Sequence, residues 1–209
     1  MVKKLLIGVA MLFATLTFGQ KADDNIVVAT QEIGVYKMPG MTDARVREYV
    51  ETTGNPIEMY LTDGWCSSFV AWVLKKNGYE YTSWPTMDEW LYCGVPTADP
   101  EMGDIVLIPG HIAFFGGWID VPGLAPHTMF KLFGGNQAHR VCVFPLVEGW
   151  VQMFLHPIVA PTGWQPRKHF GMELSSDSGV LNDKSNLMSV LNYAFHPEKD
   201  NSIPSIPSF

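Results

Sequence analysis

The sequence predicts an α+β fold in which helices from the N-terminal half pack on a small antiparallel β-sheet. Two observations predict it. As far as about Tyr92, apolar residues recur at helical spacing in runs bounded by capping residues and glycines. After Pro100 the texture changes to short β-rich runs separated by Pro-Gly, Gly-Gly and Asn-Gln turns.

The first helix is expected from Asp43 to Thr53, where Val46, Tyr49 and Val50 share a face, Thr42 and Asp43 cap the start and Gly54 follows the end. A stronger helix is expected from about Gly64 to Asn77, capped by Asp63, striped by Trp65, Phe69, Trp72 and Val73, and stopped by Gly78. Thr86 and Glu89 form a capping box for a third, short helix reaching about Tyr92. Four strands follow, at Asp104–Ile108, His111–Phe115, Met129–Phe133 and Arg140–Phe144. Strand alternation sets His111, Ala113 and Phe115 on one face and Ile112 and Phe114 on the other. Trp118 to His127 reads as a rim loop. Beyond His156 the chain is rich in proline, glycine and serine, with one further helix expected from Asp183 to Ala194.

Residues 1–19 stand apart from this fold. Lys3 and Lys4 precede an apolar run from Leu5 to Phe18 that closes on Gly19, the pattern of a secretory signal peptide. The run is shorter than the roughly 20 residues that cross a bilayer, and no cysteine follows it to carry a lipid. The organisation expected is therefore a signal peptide at 1–19, one domain at 20–156 and a C-terminal extension at 157–209. The product is an exported, unanchored monomer of the periplasm or extracellular space.

About 190 residues remain, enough for one sizeable core. The chain carries 14 basic and 21 acidic residues, a net charge of −7, and without Lys3 and Lys4 the charge is −9. Such a surface excludes general nucleic-acid binding and gives no electrostatic capture by an anionic wall. The three cysteines, Cys66, Cys93 and Cys142, are too few for a disulfide scaffold and leave one unpaired. Cys93 and Cys142 either bond to each other or sit buried.

Cys66 lies in the first turn of the second predicted helix, where free N–H groups and the backbone dipole favour a thiolate. A cysteine there is also simply a small buried hydrophobe. His111 opens a strand after the Pro109-Gly110 turn, and a helix packed on the sheet can bring it to Cys66 as a base. Asn136, in Gly134-Gly135-Asn136-Gln137, is placed to orient the imidazole through its amide oxygen, or is a plain turn residue.

Taken in order, several segments resemble the papain-like cell-wall peptidases of the NlpC and CHAP type, over roughly Ala29 to Leu146. They are Gln31-Glu32-Ile33-Gly34-Val35, Pro39-Gly40, Glu48-Tyr49, Thr52-Thr53-Gly54, Gly64-Trp65-Cys66-Ser67-Ser68-Phe69-Val70, Gly103-Asp104-Ile105-Val106, Gly110-His111-Ile112-Ala113-Phe114 and Gly135-Asn136-Gln137. The resemblance implies a papain-like fold and hydrolysis of peptidoglycan, at the sugar-to-peptide amide or within the stem and cross-bridge peptides. By position, Cys66 attacks, His111 takes and returns the proton, Asn136 orients the ring, and the Cys66 N–H donates to the oxyanion. Gly103-Asp104 reads as a structural turn. Trp65 and Trp84 are candidate substrate walls, although a core role suits both better.

Partners implied are peptidoglycan or its peptide fragments, with no nucleic acid and no cofactor. His111, His127, His139, His156 and His169 match no compact ligand spacing, so no metal is expected. Rival readings are acyl transfer or transamidation on the same scaffold, and a wall-binding module without turnover. The enzyme would remodel its producer's wall or attack another cell's. The loop around Pro122 and Pro126, or the tail from Pro157, is a candidate restraint that covers the cleft.

Overall fold

The structure, a computed structural model, describes residues 21–53, 64–82 and 87–166. The signal peptide, Asp63, Trp84, Thr86, His169 and the helix expected at Asp183–Ala194 lie outside the described residues.

Among these residues the fold is α+β, with three helices and a one-turn fourth set against one open, wholly antiparallel sheet. The helices are α1 (Asp23–Gln31), α2 (Ala44–Thr53), α3 (Cys66–Lys76) and α4 (Met87–Trp90). The strands are β1 (Gly94–Thr97), β2 (Ile105–Ile108), β3 (His111–Ile119), β4 (Met129–Gln137), β5 (Arg140–Val147) and β6 (Met153–Pro157). Their order across the sheet is β1-β6-β2-β3-β4-β5.

Helix α2 begins where its cap predicts, because Asp43 accepts the N–H groups of Arg45 and Val46 at 2.9 Å each. Helix α3 starts two residues later than expected, at Cys66, with Trp65 as an N-cap that offers no side-chain bond. Helix α3 covers the sheet face made by Ile105, Leu107, Ile112, Phe114 and Leu155, with its Phe69, Val70, Val73 and Leu74 fully buried there, and α2 packs on α3. The opposite face carries a second cluster of Val106, Ala113, Phe115, Phe130, Leu132 and Phe154. The alternation expected along β3 is the one observed.

Three elements were not expected. Helix α1 lacks an amphipathic pattern because it buries only Asn25 and Ala29. It is held by polar contacts, Asn25 Nδ2 donating to the Gly103 carbonyl at 3.1 Å and Asn77 donating to Asn25 Oδ1 at 2.8 Å. Gly103 is required there, since any Cβ would collide with the Ala22 carbonyl. Strands β1 and β6 pair with each other, and β6 also pairs with β2. The chain stays packed beyond the boundary expected at 156: Ala160 N–H bonds the Gly78 carbonyl at 2.9 Å, and Trp164 meets Tyr81 edge-on at 5.1 Å.

All three cysteines are free thiols, so no Cys93–Cys142 disulfide forms. Cys93 is buried beside the Glu89 carbonyl and Cys142 is half-buried on β5.

Candidate functional site

Cys66 is the first residue of α3. The first main-chain bond of that helix runs from Phe69 N–H to the Trp65 carbonyl, which leaves the amides of the first turn without helical partners. Ser67, fully buried, accepts the Trp90 indole N–H at 2.9 Å and so fixes α4 against this turn.

The sheet opens where this turn meets it. Strands β2 and β3 are joined by a two-residue turn closing on the Ile108–His111 pair. In an antiparallel ladder the next pair, Leu107–Ile112, then directs its N–H groups outward, so the Ile112 amide faces β4. The ladder between β3 and β4 begins only at Phe114–Phe133. Cys66 fills this gap. Burial pushes its thiol up, while the N–H groups of Ile112, Ser67 and Cys66 itself act on the sulfur and favour the anion.

Gly134 and Gly135 explain how the gap is maintained. A Cβ on Gly135 would lie 2.6 Å from Phe69 Cβ and 2.8 Å from the Trp65 ring, so a side chain there would push α3, and Cys66 with it, off the sheet. A Cβ on Gly134 would lie 2.9 Å from Ala113 Cβ, 3.1 Å from Gln137 Cδ and 3.2 Å from His111 Nε2. Two adjacent glycines thus serve opposite faces, one admitting the helix and the other allowing Gln137 and His111 to meet.

His111 opens β3 and is mostly buried. Burial lowers its imidazole to about 4, and the Gln137 amide works in the opposite sense. The orientation of that amide is determined by its nitrogen, which is surrounded by the carbonyls of Cys142 at 2.6 Å and of Leu132 and Gly134 at 3.3 Å each. The oxygen must point away from them. Gln137 Oε1 and His111 Nε2 are both buried and neither makes a hydrogen bond, although the Gln137 side chain is close enough to act on the ring. An acceptor oxygen facing a ring nitrogen selects the tautomer with hydrogen on Nε2 and leaves Nδ1 as the basic nitrogen.

The orienting amide expected from sequence was Asn136. Here Gln137 stands beside the ring. Asn136 takes a left-handed φ of 60°, which interrupts the strand alternation and returns Gln137 to the face of Gly134. The available signal was that two residues of the turn carry amides, and only the local bulge decides between them. No hydrogen bond joins Cys66 to His111; the sulfur touches the strand one residue further on, at Ile112.

Trp65 has no exposed surface and stacks on Tyr49, with ring centroids 6.1 Å apart. It belongs to the core and does not wall a cleft in this structure. The Pro122–Pro126 loop joins the far ends of β3 and β4. Eight residues of strand beyond His111 separate it from that residue, roughly 27 Å at the usual rise, so it does not cover this site. Among the described residues no group of three or more His, Cys, Asp or Glu side chains is arranged to hold a metal ion. No described helix is long and apolar enough to cross a membrane.

No family model matches the chain, and no curated protein or solved structure matches it either.

Proposed function

We propose that the protein is a papain-like cysteine hydrolase that cleaves an amide or peptide bond of peptidoglycan, with Cys66 as nucleophile, His111 as base and Gln137 as the residue that orients the ring. The observation that supports this reading is the open stretch between β3 and β4, which the helix-terminal thiol of Cys66 meets at the Ile112 N–H from one face while the His111 imidazole and the Gln137 amide lie together on the other. The choice of substrate rests on the sequence resemblance to cell-wall peptidases and on the export signal at 1–19.

In the resting site the thiol is pushed up and the imidazole down, so both are neutral near pH 7. A neutral imidazole is the form able to act as a base. His111 Nδ1 takes the thiol proton as Cys66 Sγ attacks the carbonyl. The first-turn amide of Cys66 faces the developing oxyanion, a role worth about 3 kcal/mol of barrier. The protonated ring, stabilised through Nε2–H to Gln137 Oε1, returns the proton to the leaving nitrogen. Water then releases the acyl group from sulfur with His111 again as base. The His111 ring, which now faces Gln137, has to bring Nδ1 to Sγ when substrate binds.

The test is digestion of purified peptidoglycan by the protein lacking residues 1–19, with Cys66→Ala beside it, followed by mass spectrometry of the released fragments. Sugar-free peptides would identify an amidase, and shortened stems or split cross-links an endopeptidase. Equal products from both proteins, or none from either, would refute the reading.

A further inference from the structure

We propose that Arg140 and Tyr36 form a subsite for a free carboxylate on the substrate peptide, close to the bond that is cut. The inference rests on the hydrolase reading and extends it to the chemistry of the substrate.

Gln137 and Arg140 are directly opposite each other across β4 and β5, and Arg140 is directly opposite Tyr36, whose segment borders the outer edge of β5. Residues directly opposite in antiparallel pairs share a sheet face. Tyr36, Arg140 and Gln137 therefore form a row across the sheet that ends at the His111 imidazole. Adjacent strands are about 4.8 Å apart, so Arg140 stands one step and Tyr36 two steps from Gln137. An extended peptide advances about 3.4 Å per residue. The row thus reaches one to three residues from the reacting carbonyl.

The row carries the chemistry for an anion. The Arg140 guanidinium lies 5.8 Å from the Tyr36 ring centroid, and the ring is 42% exposed. Stacking on the ring holds the fork while leaving N–H groups for a ligand. The other described arginines are already committed: Arg45 to Glu32 and Glu48, and Arg47 to Glu51. Among the described residues Arg140 has no carboxylate partner. The whole chain is at −7, so an anionic substrate gains nothing from the long-range field and needs a local cation. The hairpin that presents Arg140 is anchored from the Tyr36 side as well, because Lys37 N–H bonds the His139 carbonyl at 2.9 Å.

The experiment is calorimetric binding to the Cys66→Ala protein, which does not depend on turnover. The probes are the disaccharide tetrapeptide of peptidoglycan with free carboxylates and the same compound with its carboxyls amidated. The acid form should bind more tightly. Arg140→Gln should weaken the acid form about tenfold to a hundredfold, the range of a charge-assisted bond, and leave the amidated form unchanged. Arg140→Lys should retain part of the preference, and thermal melts of both variants control for folding. Equal weakening of both forms, an effect of less than twofold on the acid form, or no binding of either overturns the subsite. Failure of Cys66-dependent digestion with the acid preference intact refutes the hydrolase reading and leaves the subsite standing.

Discussion

Two polar regions of the molecule, the first partly exposed and the second mostly buried, are built in opposite ways. Between α1, α2 and α3, Glu32 accepts Arg45 through both oxygens, at 2.7 and 2.5 Å, and also the Tyr49 hydroxyl at 2.5 Å. Arg45 goes on to Glu48, which accepts the Trp72 indole at 2.9 Å, and Arg45 and Lys76 both lie 4.7 Å from the Trp72 ring. The Arg45 bonds hold the Glu32 carboxyl below its usual range. Between β3 and β4, by contrast, the ladder is open, an imidazole nitrogen and an amide oxygen are buried without a hydrogen bond, and three non-glycine residues near the turn are left-handed. A satisfied network stabilises one arrangement; polar atoms held without partners remain available to a substrate.

The largest effect that would sharpen this contrast is at Gln137. Gln137→Ala should lower kcat/KM about a hundredfold or more, because the imidazole loses the group that selects its tautomer. Asn136→Ala should cost less than tenfold. A carboxylate at the same place, Gln137→Glu, should restore part of the rate and raise the His111 pKa, moving the acid limb of the rate–pH profile upward from about 4. Steady-state rates on a soluble muropeptide across pH decide it. A larger loss at Asn136 than at Gln137 would return the orienting role to Asn136.

Next in size is the response to acid. His111 is lowered to about 4 in the fold against about 6.5 when unfolded. Between those values the unfolded chain binds more protons, so stability falls as the pH is lowered from about 6.5 to about 4. The total for this residue is at most about 3 kcal/mol. Urea titrations at pH 7 and pH 4.5 measure it, and His111→Gln should show a shallower loss over that window. An unchanged slope in the variant would remove the buried neutral imidazole from the account.

The helical network gives a smaller and differently placed effect. Arg45→Met leaves Glu32 buried with only Tyr49 as donor and should cost about 2 kcal/mol, discounted because Arg45 is partly exposed. Activity per folded molecule should be unchanged. Denaturant melts beside turnover of the folded protein separate the two. A loss of activity without a loss of stability would mean that the two regions are coupled.

Legibility in the sequence followed the same division. Asp43, the apolar stripe of α3 and the alternation of β3 could be read because each depends on neighbours within a few residues. Helix α1 could not, since its packing rests on two asparagines whose partners, Gly103 and Asn77, are distant in sequence. Strand β1 was obscured by Pro96, and β6 runs up to the boundary beyond which the chain was read as tail. At the proposed site, the positions of Cys66 at the start of a helix and of His111 at the start of a strand were legible. That Gln137 and not Asn136 lies beside the His111 ring was not, because it depends on a single left-handed residue. The buried position of Trp65 was weighed from sequence but fixed only by the contact of its ring with Gly135.

The smallest effect tests whether the turn strain is itself a functional cost. Ala138 and His139 occupy a two-residue turn with φ of 49° and 62°, where glycine and asparagine are the usual residues. Ala138 is exposed, so its side chain contributes little packing. A left-handed L-residue costs roughly 1 kcal/mol, while glycine adds unfolded-state entropy that offsets part of the relief. Ala138→Gly should therefore stabilise the protein by about 0.5 kcal/mol, seen as a small rise in Tm. If the hairpin holds Gln137 through its strand pairing and the three carbonyls around its amide, turnover stays within twofold of wild type. A marked fall in rate with a rise in Tm would instead assign the strained turn itself to the alignment of Gln137 against His111.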